Sequence, residues 1–444
     1  MDHRAADSAS GTGSVSDHRG SQPGSSSANR RHDMNIYDMH GMRRLLLYSH
    51  DTYGLGHLRR NLAIATHLLR TTEQLQVVLM SGSPVAPRFP LPRGLSLVSL
   101  PPVVKVAPEE YASRGGHVGF GVVSRARAAI MADVALRFEP DVLLVDHAPQ
   151  GMKGELLPTF AALRHHLPQT RIVLGLRDVL DAPDTVRRTW LAQGVVDTLE
   201  HVYHRMLVYG CREILDVADA YGIPAHLRSR ITYCGYVSRE AATTQPTAQH
   251  DLALPSGPFV LGTAGGGEDG VEVLRATQRA ARALGAQSVV VTGPLMPAAI
   301  RAELAAEAAA SAGALVIEFV TDLQSVMTRA AAIVTMGGYN TLCEAVASGV
   351  PTVVVPRLWP RREQAIRAAL FAERGLVRVV DPGDELADRL TQPLAAALAH
   401  GGGRVTPIDL RGAERVREAL VHEVAHSWTM PRGIPQQQVE QVSA

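Results

Sequence analysis

From about residue 42 the chain alternates short aliphatic runs with longer amphipathic stretches, the pattern of β-α-β units feeding a parallel sheet covered on both faces. In the first half, Leu45–Tyr48, Val77–Met80, Leu95–Leu100, Val142–Val145, Ile172–Leu176, Met206–Tyr209 and Ile231–Cys234 read as strands. The intervening segments 57–70, 121–138 and 184–204 are long enough for crossover helices. A second series follows, with strands expected at 259–263, 288–292, 314–319, 332–335 and 352–355. Its helices are expected near 271–284, 297–311, 322–330, 341–348 and 363–374. Between the series, residues 236–257 carry Thr, Gln, Pro, Ser and Gly without periodicity and read as an interdomain linker. The pattern thus predicts an α/β protein of two tandem, doubly wound parallel sheets, a first domain over 42–235 and a second over 258–410. Residues 1–41 hold almost nothing aliphatic to offset the entropy of ordering, and are expected to form a disordered leader. Residues 427–444, with Pro431, Pro435 and three consecutive glutamines, are expected to be a mobile tail. Open α/β sheets bind ligands beyond the carboxyl ends of their strands, so function belongs in the strand-to-helix loops facing the cleft between the sheets.

Composition narrows the partners. At 444 residues and 46% hydrophobic content the chain can build two cores. Lys+Arg 44 against Asp+Glu 43 leaves a formal charge of +1, without the basic excess that binding a phosphate backbone normally needs, so nucleic acid is not expected as a partner. Cys211, Cys234 and Cys343 lie far apart with no CxxC pair, which argues against a disulfide framework or a thiolate zinc site and for a reducing cytoplasm. No apolar run reaches the roughly 18 residues of a membrane-spanning helix, and the N-terminus lacks the apolar stretch of a secretory signal. A soluble cytoplasmic protein, at most peripheral at the inner face of the membrane, is the expectation.

Three glycine-bearing loops are the candidates for chemistry. The first, His50-Asp51-Thr52-Tyr53-Gly54-Leu55-Gly56-His57, leaves a strand and enters a helix, with glycines where a backbone turns tightly or approaches a ligand. Arg59 stands where a dinucleotide fingerprint needs its third glycine, which takes the main support from an NAD or FAD reading. His57 sits at the helix start, where the dipole disfavours its protonation and suits a neutral general base. The same position also suits a histidine that merely caps or packs at the turn. The second loop, Gly262–Gly270, offers backbone N–H groups to a phosphate but lacks the Lys-Ser/Thr ending of a P-loop; a flexible surface turn is its alternative.

The third loop, Met336-Gly337-Gly338-Tyr339-Asn340-Thr341-Leu342-Cys343-Glu344, places paired glycines before a helix, where N–H groups and dipole converge as a diphosphate site would require. Glu344 has two readings here, a ribose-binding carboxylate or the last member of a Thr341-x-x-Glu344 capping box. Beyond the next strand, Arg357-Leu358-Trp359-Pro360-Arg361-Arg362-Glu363-Gln364 opens another helix, and its arginines also suit a solvated face. No Asp-x-Asp metal clamp stands at a strand end; Asp146 and Asp178 are reserve bases.

The stretch from Val316-Ile317-Glu318-Phe319 through the third loop to Gly349-Val350-Pro351, with Pro356 and Glu363-Gln364, resembles the donor-binding domain of the family that contains the peptidoglycan N-acetylglucosaminyltransferase. The loops at 54–57 and 262–270 are similar to that family's first and second glycine loops, so landmarks recur over most of 43–425. The chain is also similar to predicted bacterial transferases of this superfamily. The resemblance implies the GT-B architecture of two Rossmann-like domains, with a C-terminal helix around 411–426 returning to the first. It implies a glycosyltransferase that takes a nucleotide-sugar, with uridine diphosphate as leaving group, and an acceptor hydroxyl on a glycan, lipid-linked or small molecule. By the same resemblance Glu344 holds the ribose, and backbone near Phe319 and Val320 meets the base. Gly265, Gly266, Gly338, Tyr339, Asn340 and the adjoining Thr341 surround the diphosphate. Gln364 and Glu363 meet the donor sugar, His57 the acceptor hydroxyl, and Gly54 and Gly56 shape the acceptor-side loop.

The first loop is longer and more polar than the family's, so acceptor identity does not carry over. The segment 82–120, with Arg88, Arg93, Lys105 and Arg114, is peculiar to this chain and is expected to shape the acceptor side. With no covalent nucleophile in view, a single displacement with inversion is expected, without metal or other cofactor. An epimerase or hydrolase of sugar nucleotides on the same fold and a non-catalytic sugar-nucleotide sensor are the competing readings.

Overall fold

A computed structural model of the chain describes residues 41–51, 55–107, 110–113, 116, 118–238, 254–310, 313–399 and 408–429. The expected leader apart from Gly41, most of the linker, most of the tail, and Gly54 and Arg114 lie outside the described residues.

Seven parallel strands form the first sheet: β1 (Arg44–Ser49), β2 (Gln76–Ser81), β3 (Leu95–Ser99), β6 (Val142–Asp146), β7 (Arg171–Arg177), β8 (Arg205–Tyr209) and β9 (Ile231–Tyr233). Their order is β3-β2-β1-β6-β7-β8-β9. The sheet is buried on both sides because its strands are apolar at consecutive positions. Leu45 and Leu47 join Leu58, Leu62 and Ala65 of α1 (Gly56–Thr71) in one cluster. Leu46 and Tyr48 point the other way, toward Met131 of α2 (Phe120–Phe138) and Phe160 of α3 (Leu157–His166). That is the two-residue period of a strand covered by helices on both faces.

The second sheet has the order β12-β11-β10-β13-β14-β15, from β10 (Phe259–Thr263), β11 (Gln287–Val291), β12 (Ala314–Ile317), β13 (Ala332–Thr335), β14 (Thr352–Val354) and β15 (Arg378–Val379). Val260 packs with Leu274 of α7 (Val271–Ala283) and Leu390 of α12 (Leu386–Ala399). Phe259 and Leu261 face Leu323 and Met327 of α9 (Leu323–Met327) on the other side. In each sheet the strand order reverses once. The switch falls between β1 and β6 in the first and between β10 and β13 in the second, and a crevice opens at the carboxyl ends of the strands at each point.

An apolar core joins the two domains. Tyr339, Leu342 and Cys343 of α10 (Tyr339–Ser348), with Phe371 of α11 (Glu363–Ala372), share one cluster with Leu58 and Leu62. The last helix, α13 (Gly412–Thr429), lies on the first domain: Val416, Leu420 and Val424 enter that cluster, and Glu423 accepts hydrogen bonds from Arg171 and Arg205.

The start of the expected linker is well packed. Tyr236 and Val237 are buried, and Val237 bridges to Arg411. The single helix expected over 184–204 is two, α4 (Pro183–Ala192) and α5 (Val195–His201), because Gly194 turns the chain with φ +62°. Within 82–120 the chain forms an antiparallel hairpin, β4 (Val103–Ala107) and β5 (Glu110–Ser113).

Candidate active site

His57 is the second residue of α1, at the mouth of the first switch point. Its Nδ1 lies 2.5 Å from Oδ2 of Asp146, the last residue of β6. Arg60, one turn along α1, donates through Nε and Nη2 to the other oxygen of the same carboxylate at 3.0 and 2.5 Å. Asp146 and Arg60 are each 1% exposed and His57 is 8% exposed. Burial alone raises the Asp146 carboxyl, but Arg60 and His57 outweigh it and bring it down to about 2. The carboxylate is therefore charged, and it is the acceptor for the Nδ1 proton of His57. Burial lowers His57 to about 4 against the attraction of Asp146, with Arg60 and Arg177 adding to the fall. His57 is neutral at pH 7, and Nε2 carries the lone pair with no hydrogen bond among the described residues. This oriented His–Asp pair has the geometry of a general base.

Asp146, read in the sequence as a reserve base, is engaged by His57 and Arg60. These contacts suit it to orienting the His57 ring, and with its carboxyl lowered to about 2 it is charged at pH 7. Asp178, the other reserve base, is committed elsewhere: Arg367 of α11 donates to its carboxylate through Nε and Nη2 at 2.8–3.1 Å, with both side chains at most 2% exposed.

Two further imidazoles surround His57. Its ring centroid is 5.7 Å from that of His50 and 5.0 Å from that of His147, and those two are 5.8 Å apart. Tyr48 donates its hydroxyl hydrogen to Glu155 at 2.7 Å, so Nδ1 of His50, 3.1 Å from that hydroxyl, is the donor to it. His147 follows Asp146 directly and has φ +70°, a left-handed conformation that costs a non-glycine residue roughly 1–3 kcal/mol and recurs at functional sites. Neither residue stood out in the sequence. The available signal was position, since both immediately follow the carboxyl ends of the two strands that flank the switch.

In the second domain the two glycine loops meet at the other switch point. A Cβ on Gly265 would lie 4.0 Å from Oγ1 of Thr341, so the 262–270 loop borders the start of α10. Gly266 is pressed against Gly293, whose added Cβ would stand 2.4 Å from the Gly266 carbonyl carbon, and it accepts from Leu295 N–H at 2.9 Å. The loop is tightly packed; a flexible surface turn does not describe it. The N-cap of α10 is Gly338, and no side chain caps the helix start. Thr341 is thus the third helical residue, and the capping-box alternative for Glu344 does not apply.

Cross-domain contacts engage several of the residues expected to bind the donor. Arg59 Nη2 lies 2.6 and 2.8 Å from the oxygens of Glu344, and Asn340 Nδ2 donates to the Gly56 carbonyl at 2.6 Å. The Tyr339 ring points away from the loop into the interdomain core, where its hydroxyl accepts from Val237 N–H at 3.0 Å; only its backbone faces the helix start. Phe319 meets Phe89 edge-on at 5.4 Å and lies under the Arg88 guanidinium at 5.1 Å, while Val320 is buried in the second-domain core. Arg88, from the segment expected to shape the acceptor side, thus reaches the expected base site, where it also pairs with Glu318 at 3.1 Å. Gln364 accepts from Arg357 N–H at 3.0 Å, and Glu363 Oε1 accepts from Arg357 Nη2 at 2.7 Å. Glu363 Oε2 is buried without a hydrogen bond among the described residues. Burial raises the Glu363 carboxyl, but Arg177, Arg357 and Arg367 leave it lowered and charged.

Beside Glu344, a cavity of about 160 Å³ is lined by Arg59, Phe89, Pro90, Val237 and Asn340. Among the described residues no group of three His, Cys, Asp or Glu side chains stands close enough to hold a metal ion.

Residues 273–402 match the family model of the glycosyltransferase family 28 C-terminal domain. The match spans most of the second domain. Phe319, Glu344, Glu363 and Gln364 all fall within it. Solved structures share the GT-B fold over residues that make up most of the chain. A calicheamicin glycosyltransferase superposes with TM-score 0.51 at 17% identity, over 87% of this chain and 95% of that one. The spinosyn forosaminyltransferase gives 0.52 at 15%, over 87% and 95%. The UDP-GlcNAc 2-epimerase of Methanocaldococcus jannaschii, in complex with UDP-GlcNAc and UDP, gives 0.56 at 13%, over 85% and 99%. No curated protein matches the sequence.

Proposed function

We propose that this protein transfers a sugar from a nucleotide-diphosphate donor, a UDP-sugar, to the hydroxyl of an acceptor, with inversion and without a metal. The observation that carries the reading is the joining of two switch points. His57, oriented by Asp146, lies at the first; the uncapped start of α10 and the 262–270 loop lie at the second; and the bond from Asn340 to Gly56 holds the two together.

In this reading His57 Nε2 removes the proton of the acceptor hydroxyl as its oxygen attacks the anomeric carbon. The bond from that carbon to the diphosphate breaks, and the departing charge meets N–H groups already fixed at the helix start, where no reorganisation is needed. Glu344 receives the ribose hydroxyls once Arg59 releases it. Glu363 Oε2 and the amide of Gln364 stand ready for hydroxyls of the donor sugar. Nucleotide-sugar sites are larger than the cavity beside Glu344, since ligand pockets run to roughly 300–1,000 Å³. In this reading the donor displaces Arg59 from Glu344 as it enters.

The three cysteines are buried and free, which supports work in the cytoplasm, at most peripheral to a membrane; no described helix is long and apolar enough to cross one. The His50 and His147 imidazoles beside His57, together with the epimerase of the same fold, support a second reading as a sugar-nucleotide epimerase or hydrolase. Radiolabelled sugar nucleotides incubated with the protein, with and without cell extract and with and without chelator, separate the readings. Label in a new product only when extract is present supports transfer. An altered or free sugar without extract supports the second reading, and binding without turnover makes the protein a sensor.

A further inference from the structure

The loop between β2 and β3 reaches across the cleft from the first domain. Its four prolines, Pro84, Pro87, Pro90 and Pro92, each fix a backbone dihedral, so the segment has little conformational freedom left to lose on meeting a ligand. Ala86 is buried in the core shared by the two domains and anchors a single 3₁₀ turn over Ala86–Arg88. The N–H groups of Arg88 and Phe89 close that turn on the carbonyls of Val85 and Ala86 at 3.0 and 3.2 Å. The side chains of Arg88 and Phe89 are thus held in place by their own backbone.

Both side chains land where the second domain is expected to hold the base. Phe89 is half-buried and meets Phe319 edge-on, with ring centroids 5.4 Å apart, and the Arg88 guanidinium lies over the Phe319 ring at 5.1 Å. Phe89 and Pro90 also line the cavity beside Glu344, together with Arg59 and Asn340. Phe89 therefore borders two places at once, the expected base site at Phe319 and the ribose position at Glu344. A single glycosidic bond joins base to ribose, so a nucleoside that reaches both must pass along Phe89. A half-exposed phenyl ring there offers a flat apolar face to a flat base.

We infer that Phe89 is the stacking platform for the base of the donor nucleotide, so that a first-domain residue completes a nucleoside site whose other parts lie in the second domain. This rests on the transferase reading and deepens it. The loop around Phe89 then serves the donor, not the acceptor as its sequence suggested, and base recognition depends on the two domains being together. Arg88 fastens the loop over the site through Glu318 at 3.1 Å, a carboxylate that Arg301 also approaches at 3.5 Å. The Arg88 and Glu318 side chains are 46% and 38% exposed, and an ion pair so open to water is worth little, so it releases at small cost when a nucleotide enters.

The test is calorimetric titration of UDP and, separately, of inorganic diphosphate into the full chain, for the wild type, Phe89→Ala and Phe89→Trp, with melting curves to certify folding. UDP affinity is expected to fall about ten-fold in Phe89→Ala, because stacking on an aromatic ring is lost, and to hold or rise in Phe89→Trp. Diphosphate, which has no base, is expected to bind all three proteins alike. The indole added by Phe89→Trp is expected to lose fluorescence with UDP and not with diphosphate, beyond any change in the three native tryptophans. Equal UDP affinity in the wild type and Phe89→Ala overturns the platform, as does an added indole that UDP leaves unquenched. Diphosphate affinity that falls in step with UDP affinity in Phe89→Ala also overturns it, and leaves Phe89 as a contact that only closes the domains. Should UDP fail to bind the wild type, the donor reading falls and takes the platform with it, a result seen before any variant is made and so distinct from the others.

Discussion

Nη2 of Arg59 lies 2.6 and 2.8 Å from the two carboxylate oxygens of Glu344, so a first-domain side chain occupies the acid that the ribose would need. The pair is largely shielded, at 15% and 5% side-chain exposure. Glu344→Gln is expected to weaken UDP binding by roughly ten-fold, since an amide makes weaker bonds to hydroxyls than a carboxylate does. Arg59→Ala is expected to leave UDP affinity unchanged or to raise it, because it removes the competitor for the same oxygens. Calorimetry on both variants checks the assignment. Equal weakening by both would mean that the contact only closes the domains.

The His57–Asp146 pair sets the pH response. With His57 lowered to about 4, the base is already neutral at pH 7, so kcat/KM is expected to be level from about pH 5 through neutrality and to fall as the pH drops through about 4. Asp146→Asn removes the charge that fixes the Nδ1 tautomer and is expected to cost about 10²–10⁴-fold in kcat, with His57→Asn of similar size and the double variant little worse. An acid limb centred near 6.5 in the wild type would overturn this, since the base would then titrate where an unperturbed imidazole does.

The alternation of aliphatic runs located the strands well because a parallel strand buried on both faces must be apolar at consecutive positions, as in Val142–Val145. Helices at prolines were harder to read. In α3, Pro158 occupies the first turn, where its missing N–H costs nothing, and in α12 Pro393 lies inside the helix, so neither segment showed an uninterrupted pattern. The glycine loops were legible as loops but not as contacts. The glycine at 293, for example, is needed because its backbone meets that of Gly266, a relation between segments about 30 residues apart. The partnerships of Arg59 with Glu344 and Arg367 with Asp178 span the two domains, and no local spacing announces them. His57 could be singled out by its place at a helix start, whereas its orienting acid 89 residues away was visible only as an isolated carboxylate at a strand end.

Asp178 is held by Arg367 at the domain interface with both groups out of water, which makes the pair costly to break from one side. Asp178→Asn leaves a buried guanidinium without its counter-charge and is expected to destabilise the fold by about 3–5 kcal/mol. The double variant Asp178→Asn/Arg367→Met is expected to recover much of that loss, because no buried charge is left unmatched. Urea unfolding of the three proteins measures this. A single variant as stable as the wild type would show that water reaches Arg367 and that the interface opens readily.

Adjacent glycines at the start of α10 separate a folding requirement from a binding one. Gly337 has φ +79°, and a Cβ there would stand 2.9 Å from Cγ1 of Val354, so Gly337→Ala is expected to destabilise the second domain through both strain and crowding. Gly338 is different. It has φ −59° and ψ 142°, which alanine adopts freely, and a Cβ there meets nothing within 4 Å. Gly338→Ala is therefore expected to melt at the wild-type temperature or slightly above it, since alanine loses less backbone freedom on folding. The methyl group would nevertheless project into the space before the uncapped N–H groups of α10, where the donor diphosphate is proposed to lie, and a diphosphate kept at a distance loses charge-assisted bonds that need separations of roughly 2.7–2.9 Å. UDP affinity is expected to fall about ten-fold or more, with UMP, which lacks the second phosphate, affected less. Wild-type UDP affinity in a stable Gly338→Ala protein would place the diphosphate away from α10 and leave the helix start without a role in catalysis.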